Sequence, residues 1–470
     1  MIIFILILAL VLRIISLNQS LWLDEAINVL AAKNNSLWGM ITQYAAVDFH
    51  PPGYFIILWG WIRLFGFSEI AVRLPSVVFG VLTVFLTYLI GNKLSKRLGL
   101  LAAFILAINP LHVYYSQEAR MYSLAAFLVC LNFLLFIRLF KEEKVNYFTL
   151  ILSNLLVLTS DYLAYLIFPA QLFFLLINKN KKILKKWIIS FITSLTFWII
   201  WVPVFINQLK VGLETSNNLP GWKAVVGSSD LREVGLTLIK LIIGRISFPD
   251  KAVYYTSLIF PVSIFIFLII RGVIFSDTFK RNLLLSWFLI PIGLAWAISF
   301  IVPVFSYFRV LFIIPSFIIL TVLGIDSFKS RIKYFILFLV ILIELLSSLT
   351  YLLNPVYQRE DWKGLVSFLK TQPDAVVLSE NSGSYAPFDY YAKNQLTAEG
   401  ALKKFPVKSS DELIDLKTYL RSKNNVYLID YLVEISDPNH LVSEELTNLG
   451  YKTKDVKNFN GVGFLYHFSK

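Results

Sequence analysis

Residues 1–26 read MIIFILILALVLRIISLNQSLWLDEA, an apolar run over 1–17, a short polar break, and then the carboxylate pair Asp24-Glu25. No basic residue precedes the run, Arg13 interrupts its far end and no Ala-x-Ala site follows, so it reads as an uncleaved first membrane helix. Beyond it, 57% of the 470 residues are hydrophobic and 16% are charged. A soluble chain carries about 25% charged residues, which makes this an all-α polytopic membrane protein with a soluble part attached. A carboxylate pair just outside the first span therefore lies at a lipid–water boundary.

A span needs about 20 apolar residues. Runs near that length lie at 1–17, 74–92, 98–112, 121–140, 147–160, 162–178, 187–206, 252–270, 283–303, 308–325 and 333–353, about eleven in all. Five connecting loops are basic: Lys93, Lys96 and Arg97; Arg138, Lys141 and Lys144; Lys179, Lys181, Lys182, Lys185 and Lys186; Arg271, Lys280 and Arg281; and Lys329, Arg331 and Lys333. The positive-inside rule assigns all five to the cytoplasm, with the N-terminus. Gly53–Phe65 is apolar enough to span, yet a span there would put Lys93 to Arg97 outside. It reads instead as an interfacial helix within a long outward loop at 18–73. The stretch 207–251 is a second outward segment.

After residue 353 the composition turns polar. Residues 374–379 and 425–430 read as buried strands, 361–370, 410–422 and 440–449 as helices, and 463–468 as a closing strand. The expected organisation is a membrane domain over 1–353 and an extracytoplasmic α/β domain over 354–470. No glycine-rich nucleotide motif is present there. Cys130 is the only cysteine and the four histidines are scattered, so neither a disulfide nor a metal-ligand spacing is written in the sequence. The net charge of +13 sits largely in loops between spans, where orientation and anionic lipid account for it without nucleic acid.

The polar clusters collect on the outward side: Leu21-Trp-Leu-Asp24-Glu25-Ala, His50-Pro-Pro-Gly-Tyr54, Arg73-Leu-Pro-Ser76 and Tyr115-Ser-Gln-Glu118-Ala-Arg120-Met-Tyr122. In order and in placement relative to the spans they resemble the GT-C glycosyltransferases, in particular the protein O-mannosyltransferase and aminoarabinose-transferase branch. The resemblance covers about residues 1–140, with an echo at Tyr307-Phe-Arg309-Val-Leu-Phe-Ile-Ile-Pro315. It implies transfer of a sugar from a polyprenyl-phosphate donor to a glycan, lipid or protein acceptor at the outer face of the cell membrane. It also makes Asp24 the catalytic carboxylate.

The chemistry agrees, because a polyprenyl phosphate leaves without a proton donor and one base for the acceptor hydroxyl is then sufficient. Arg120 and Arg309 suit the departing phosphate, since a guanidinium fork matches its oxygens. Glu25, His50, Glu118 and Tyr122 complete the substrate-binding set. No metal or cofactor is required, although a divalent cation bridging Asp24 and the phosphate is compatible with the same residues.

Each residue also has a plainer role: Asp24 as a helix N-cap, Glu118 and Arg120 as a surface pair, Arg309 and Arg13 snorkelling, and the tyrosines as an interfacial belt. Asp161 and Tyr162 read as a tight outward turn. The alternative class is a lipid flippase or transporter, for which Glu344, inside the last span, is the best residue; its plainer role is a helix–helix hydrogen bond.

Overall fold

The computed structural model describes residues 1–95, 97–141, 143–218 and 227–470; Lys96 of the first basic loop lies outside them. They form two compact units. The first contains Met1–Leu17, Asn35–Glu214 and residues 227–357, and the second Asn18–Asn34, residues 215–218 and Gln358–Lys470. The segment bearing Asp24 thus groups with the C-terminal domain.

The first unit is helical. Among the described residues, Glu69–Leu94, Tyr122–Phe140, Lys181–Asn218, Lys251–Phe275, Thr278–Ile298 and Ser330–Leu353 are long and apolar enough to cross a membrane. Leu98–Ile108 with Pro110–Ser116 makes one further, bent crossing. A total of about eleven needs the shorter apolar helices Ile2–Ile14, Tyr147–Ser160, Leu163–Asn178 and Leu311–Asp326 to cross as well. Only 17% of the most apolar window of Lys181–Asn218 is buried, and 22% of that of Lys251–Phe275. Their exposed Phe197, Ile200, Phe260 and Phe267 are stable only against lipid. Gly272 and Gly324 let two helices cross closely, because a Cβ on Gly324 would come within 2.0 Å of the Leu268 carbonyl oxygen.

Helix ends differ from the hydropathy reading in three places. Glu69–Leu94 starts before residue 74 because the Ser68 hydroxyl caps it, accepting from Ala71 N–H at 3.3 Å; Arg73 and Ser76 are therefore helical. Residues 207–218 continue the preceding helix, since they carry no proline or glycine pair to stop it. At Asn109 the backbone turns extended (ψ 124°), and the two flanking helices bend by 64°. Pro110 disfavours helical backbone at Asn109, whose side chain then caps the new helix by accepting from His112 N–H at 2.9 Å.

That break explains Arg13. Its guanidinium is fully buried and donates to the carbonyls of Ala9 (2.9 Å) and Ala107 (3.0 Å) and to the Ser116 hydroxyl (3.1 Å), with the His112 Nδ1 atom 2.6 Å away. The carbonyl of Ala107, released by the break, finds its donor in Arg13. Arg13 thus pins the first helix to the bend and does not snorkel. Arg13→Met should cost about 3 kcal/mol or more, because several buried acceptors lose their donor together. Thermal unfolding in detergent reads this as a markedly lower midpoint. Glu344 is equally structural: its carboxylate accepts from Asn109 Nδ2 at 3.0 Å, the helix–helix bond anticipated for it.

The second unit holds a five-stranded mixed sheet of order β2-β1-β3-β5-β4, with β1 Val376–Ser379, β2 Ala398–Gly400, β3 Asn425–Asp430, β4 Lys452–Phe459 and β5 Gly463–Ser469. β1 runs parallel to β2 and β3, while β5 runs antiparallel to β3 and β4. Leu378, Val426, Leu428, Val442, Leu446 and Phe468 form its core. The expected helix over 410–422 is only the turn Ser410–Glu412 and the short helix Leu416–Tyr419, because Leu413 is drawn into an extended bridge with Leu402. β4, an edge strand exposed along nearly its whole length, carries no apolar alternation and escaped the sequence reading.

Candidate active site

In the second unit, Asp24 lies in the first turn of helix Leu23–Asn34. The helix begins two residues earlier than expected. Trp22 carbonyl accepts from Ala26 N–H at 3.0 Å, so Trp22 is the N-cap and Asp24 is not. The orphan amides are met by other carboxylates. Glu25, fully buried, reaches back to Trp22 N–H at 3.4 Å, and Glu360 accepts from Leu23 N–H at 3.3 Å. Leu21 N–H donates to the Tyr391 hydroxyl (2.8 Å), Arg359 N–H to Gln19 Oε1 (3.0 Å) and Lys363 N–H to the Ser20 hydroxyl (3.1 Å). The Asp24 segment is thereby laced to the C-terminal domain, while Asp24 itself stays partly exposed.

Glu25, read from the sequence as a substrate-binding residue, is buried at this helix start. At the C-terminal ends of β1 and β3, burial and the neighbouring Asp430 and Asp437 carboxylates push Glu380 well above the usual carboxylate range.

In the first unit the remaining candidates form one polar cluster. His50 Nδ1 lies 2.6 Å from Asp48 Oδ1, and both side chains are largely buried. Burial pushes Asp48 up, but His50 and then Arg120 outweigh it and hold the carboxyl below its ordinary value. Burial raises Asp161 above the usual carboxylate range, although His50, the Leu163 amide and Arg309 pull the other way. Asp161 also accepts from Leu163 N–H at 2.8 Å, the turn role read for it. Arg309 sits in a turn ahead of the 3₁₀ segment Leu311–Ile313, not inside a span as expected, and its Nε atom is buried with no hydrogen-bond partner.

Aromatic rings wall the cluster. Tyr122 meets Tyr115 edge-on at 5.2 Å and Phe308 at 5.4 Å, with the Arg120 guanidinium 5.9 Å from the Tyr122 ring. Arg245 donates to the Tyr114 hydroxyl at 2.6 Å, and Tyr115 lies within electrostatic reach of Glu118, Arg245 and Tyr307. Lys240 is occupied with the Ile246 carbonyl at 2.8 Å. Glu118 and Arg120 are almost fully buried, which a surface ion pair would not be. Asp48 joins this cluster although the sequence reading did not name it, and the spacing Asp48-x-His50 was the available signal. Lys240 and Arg245 are the residues the sequence offered for the phosphate in place of Arg120 and Arg309.

Carboxylates, arginines and stacked rings gathered from five separate segments on helical scaffolding can hold an anionic group with a sugar beside it. Residues 49–206 match the family model described as dolichyl-phosphate-mannose-protein mannosyltransferase. Over 99% of this chain the fold is similar to ArnT from Cupriavidus metallidurans bound to undecaprenyl phosphate, with a TM-score of 0.59 at 10% identity and 97% of that chain covered. The chain has the GT-C glycosyltransferase fold. Another protein of similar fold is the Archaeoglobus fulgidus oligosaccharyltransferase AglB in complex with an inhibitory peptide and a dolichol-phosphate. There the TM-score is 0.54 at 12% identity, covering 99% of this chain and 74% of that one. An uncharacterized protein from Aquifex aeolicus is 29% identical over 174 residues, 36% of this chain and 34% of its own, so the match spans about a third of that relative. The GT-C fold accounts for the architecture expected from the motifs, a multi-pass helical domain with a small C-terminal sheet domain.

Proposed function

We propose that this GT-C chain transfers a sugar from a polyprenyl-phosphate donor to an acceptor hydroxyl on the extracytoplasmic face. The observation that carries it is the cluster of Arg120, Arg309 and His50 with Asp48 and Asp161, walled by Tyr115, Tyr122 and Phe308. Asp24 takes the acceptor hydroxyl proton as that oxygen attacks the anomeric carbon. The bond from anomeric carbon to phosphate oxygen breaks on the opposite side, inverting the centre. The electron pair leaves with the phosphate, whose charge Arg120 and Arg309 stabilise. Glu118 orients sugar or acceptor hydroxyls, and His50 is a further polar contact for the substrate.

The mechanism needs no cofactor. A divalent cation, if bound, would be held by Asp24 and would supply positive charge to the leaving phosphate, and loss of turnover on chelation would identify it. A flippase would instead use ionisable residues at the midplane, and Glu344 is already engaged by Asn109.

Transfer is tested by incubating the purified protein with polyprenyl-phosphate sugars and following release of the lipid phosphate. The outward placement of the site is tested separately. Cysteines introduced at Lys181 and Lys333 should resist an impermeant outside label, and one at Ser382 should react; a protected Ser382 position would put the C-terminal domain in the cytoplasm. The native Cys130 is buried and adds no background.

A further inference from the structure

Glu360 belongs to none of the motifs, yet three segments converge on it. Its Oε2 atom accepts from Leu23 N–H at 3.3 Å and from Trp362 Nε1 at 2.8 Å, and its Oε1 atom accepts from the Tyr431 hydroxyl at 3.0 Å. Trp362 is fully buried and meets the Tyr431 ring edge-on at 4.9 Å, so two of the three donors brace each other. Gly461, at φ +73°, closes the other side: a Cβ there would sit 3.1 Å from Glu360 Cα and Cγ. A carboxylate so held does two things. It satisfies an orphan amide at the helix start, where the helix dipole favours negative charge. It also places that charge within electrostatic reach of Asp24.

We infer that Glu360 is a positioning residue for Asp24, its ionised carboxylate fixing the start of helix Leu23–Asn34 on the C-terminal domain. The inference rests on the reading of Asp24 as base. The ionised form is the one that holds the helix start best, because a charge-assisted hydrogen bond to Leu23 N–H is stronger than a neutral one.

Burial pushes Glu360 up to about 7, against its hydrogen bonds from Trp362, Tyr431 and Leu23 N–H, and the Asp24 charge adds to the rise. The titratable groups acting on it are Asp24 and Tyr431. The sign follows: its charge is present above about 7 and lost as pH falls through that value, so transfer should decline on the acid side near neutrality.

The test uses the full-length protein with Glu360→Gln and Tyr431→Phe. In Glu360→Gln, donor-lipid binding should stay within about twofold, amide exchange at residues 23–26 should rise by about tenfold or more, and the neutral acid limb of the rate profile should disappear. Tyr431→Phe keeps the charge but removes an O–H donor to the ionised form, so its acid limb should move to higher pH. It also serves if Glu360→Gln folds poorly. Unchanged exchange, or acid limbs that stay where the wild type has them, would overturn the inference. A fully active Asp24→Asn would remove the base assignment instead, and the exchange result for the helix start would still stand.

Discussion

Asp24→Asn should yield a folded protein that binds the lipid donor like the wild type and transfers sugar at least about a hundredfold more slowly. A general base contributes about 10²–10⁴ in rate, whereas a helix cap contributes only about 1 kcal/mol of stability. The two roles separate cleanly here because Trp22 occupies the N-cap while Glu25 and Glu360 meet the first amides. Neither Asp24→Asn nor Asp24→Ala removes a cap, so both should melt close to the wild type. A destabilised Asp24→Ala beside an active Asp24→Asn would show that the carboxylate is structural. Turnover in detergent and a thermal melt on the same preparations decide between the outcomes.

The second large effect concerns the donor phosphate. Arg309→Gln and Arg120→Gln should each weaken donor binding by one to two orders of magnitude, since a charged hydrogen-bonding partner contributes roughly 1.5–3 kcal/mol. Arg309 is the sharper test, because its Nε atom has no protein partner. Arg120 also faces Asp48 and the Tyr122 ring, so its removal should disturb the cluster as well as the donor. Titration with a polyprenyl phosphate, followed by intrinsic fluorescence, measures both. If both variants bind normally, the phosphate is held elsewhere, and Arg245 becomes the next residue to replace.

Much of the architecture was legible because hydropathy is a strong, local signal. The apolar runs, the helix at Gly53–Phe65 and the alternation after residue 353 all follow from spacing alone. The break at Asn109 was not read, although Asn-Pro inside an apolar run is a recognised breaker signal, because the run seemed long enough to continue. The role of Arg13 depends on that break and could not precede it. β4 stayed hidden because an exposed edge strand needs no apolar face. For the candidate site, the motifs named His50, Glu118, Arg120 and Tyr122, and the structure brings these residues together with Arg309. Asp48 and Asp161 joined them only in three dimensions. Glu360 was out of reach for a different reason: its partners Leu23 and Tyr431 are separated by some four hundred positions, and nothing local marks a carboxylate that caps a distant helix.

The most direct test of the central claim is mass spectrometry of surface glycans, lipids and proteins from cells lacking this chain, complemented with either the wild type or Asp24→Asn. The account predicts that one glycoconjugate loses a mass equal to a single sugar residue in the deletion, that its polyprenyl-phosphate sugar accumulates, and that only the wild type reverses both. An unchanged glycoconjugate profile in the deletion, or full restoration by Asp24→Asn, would contradict it.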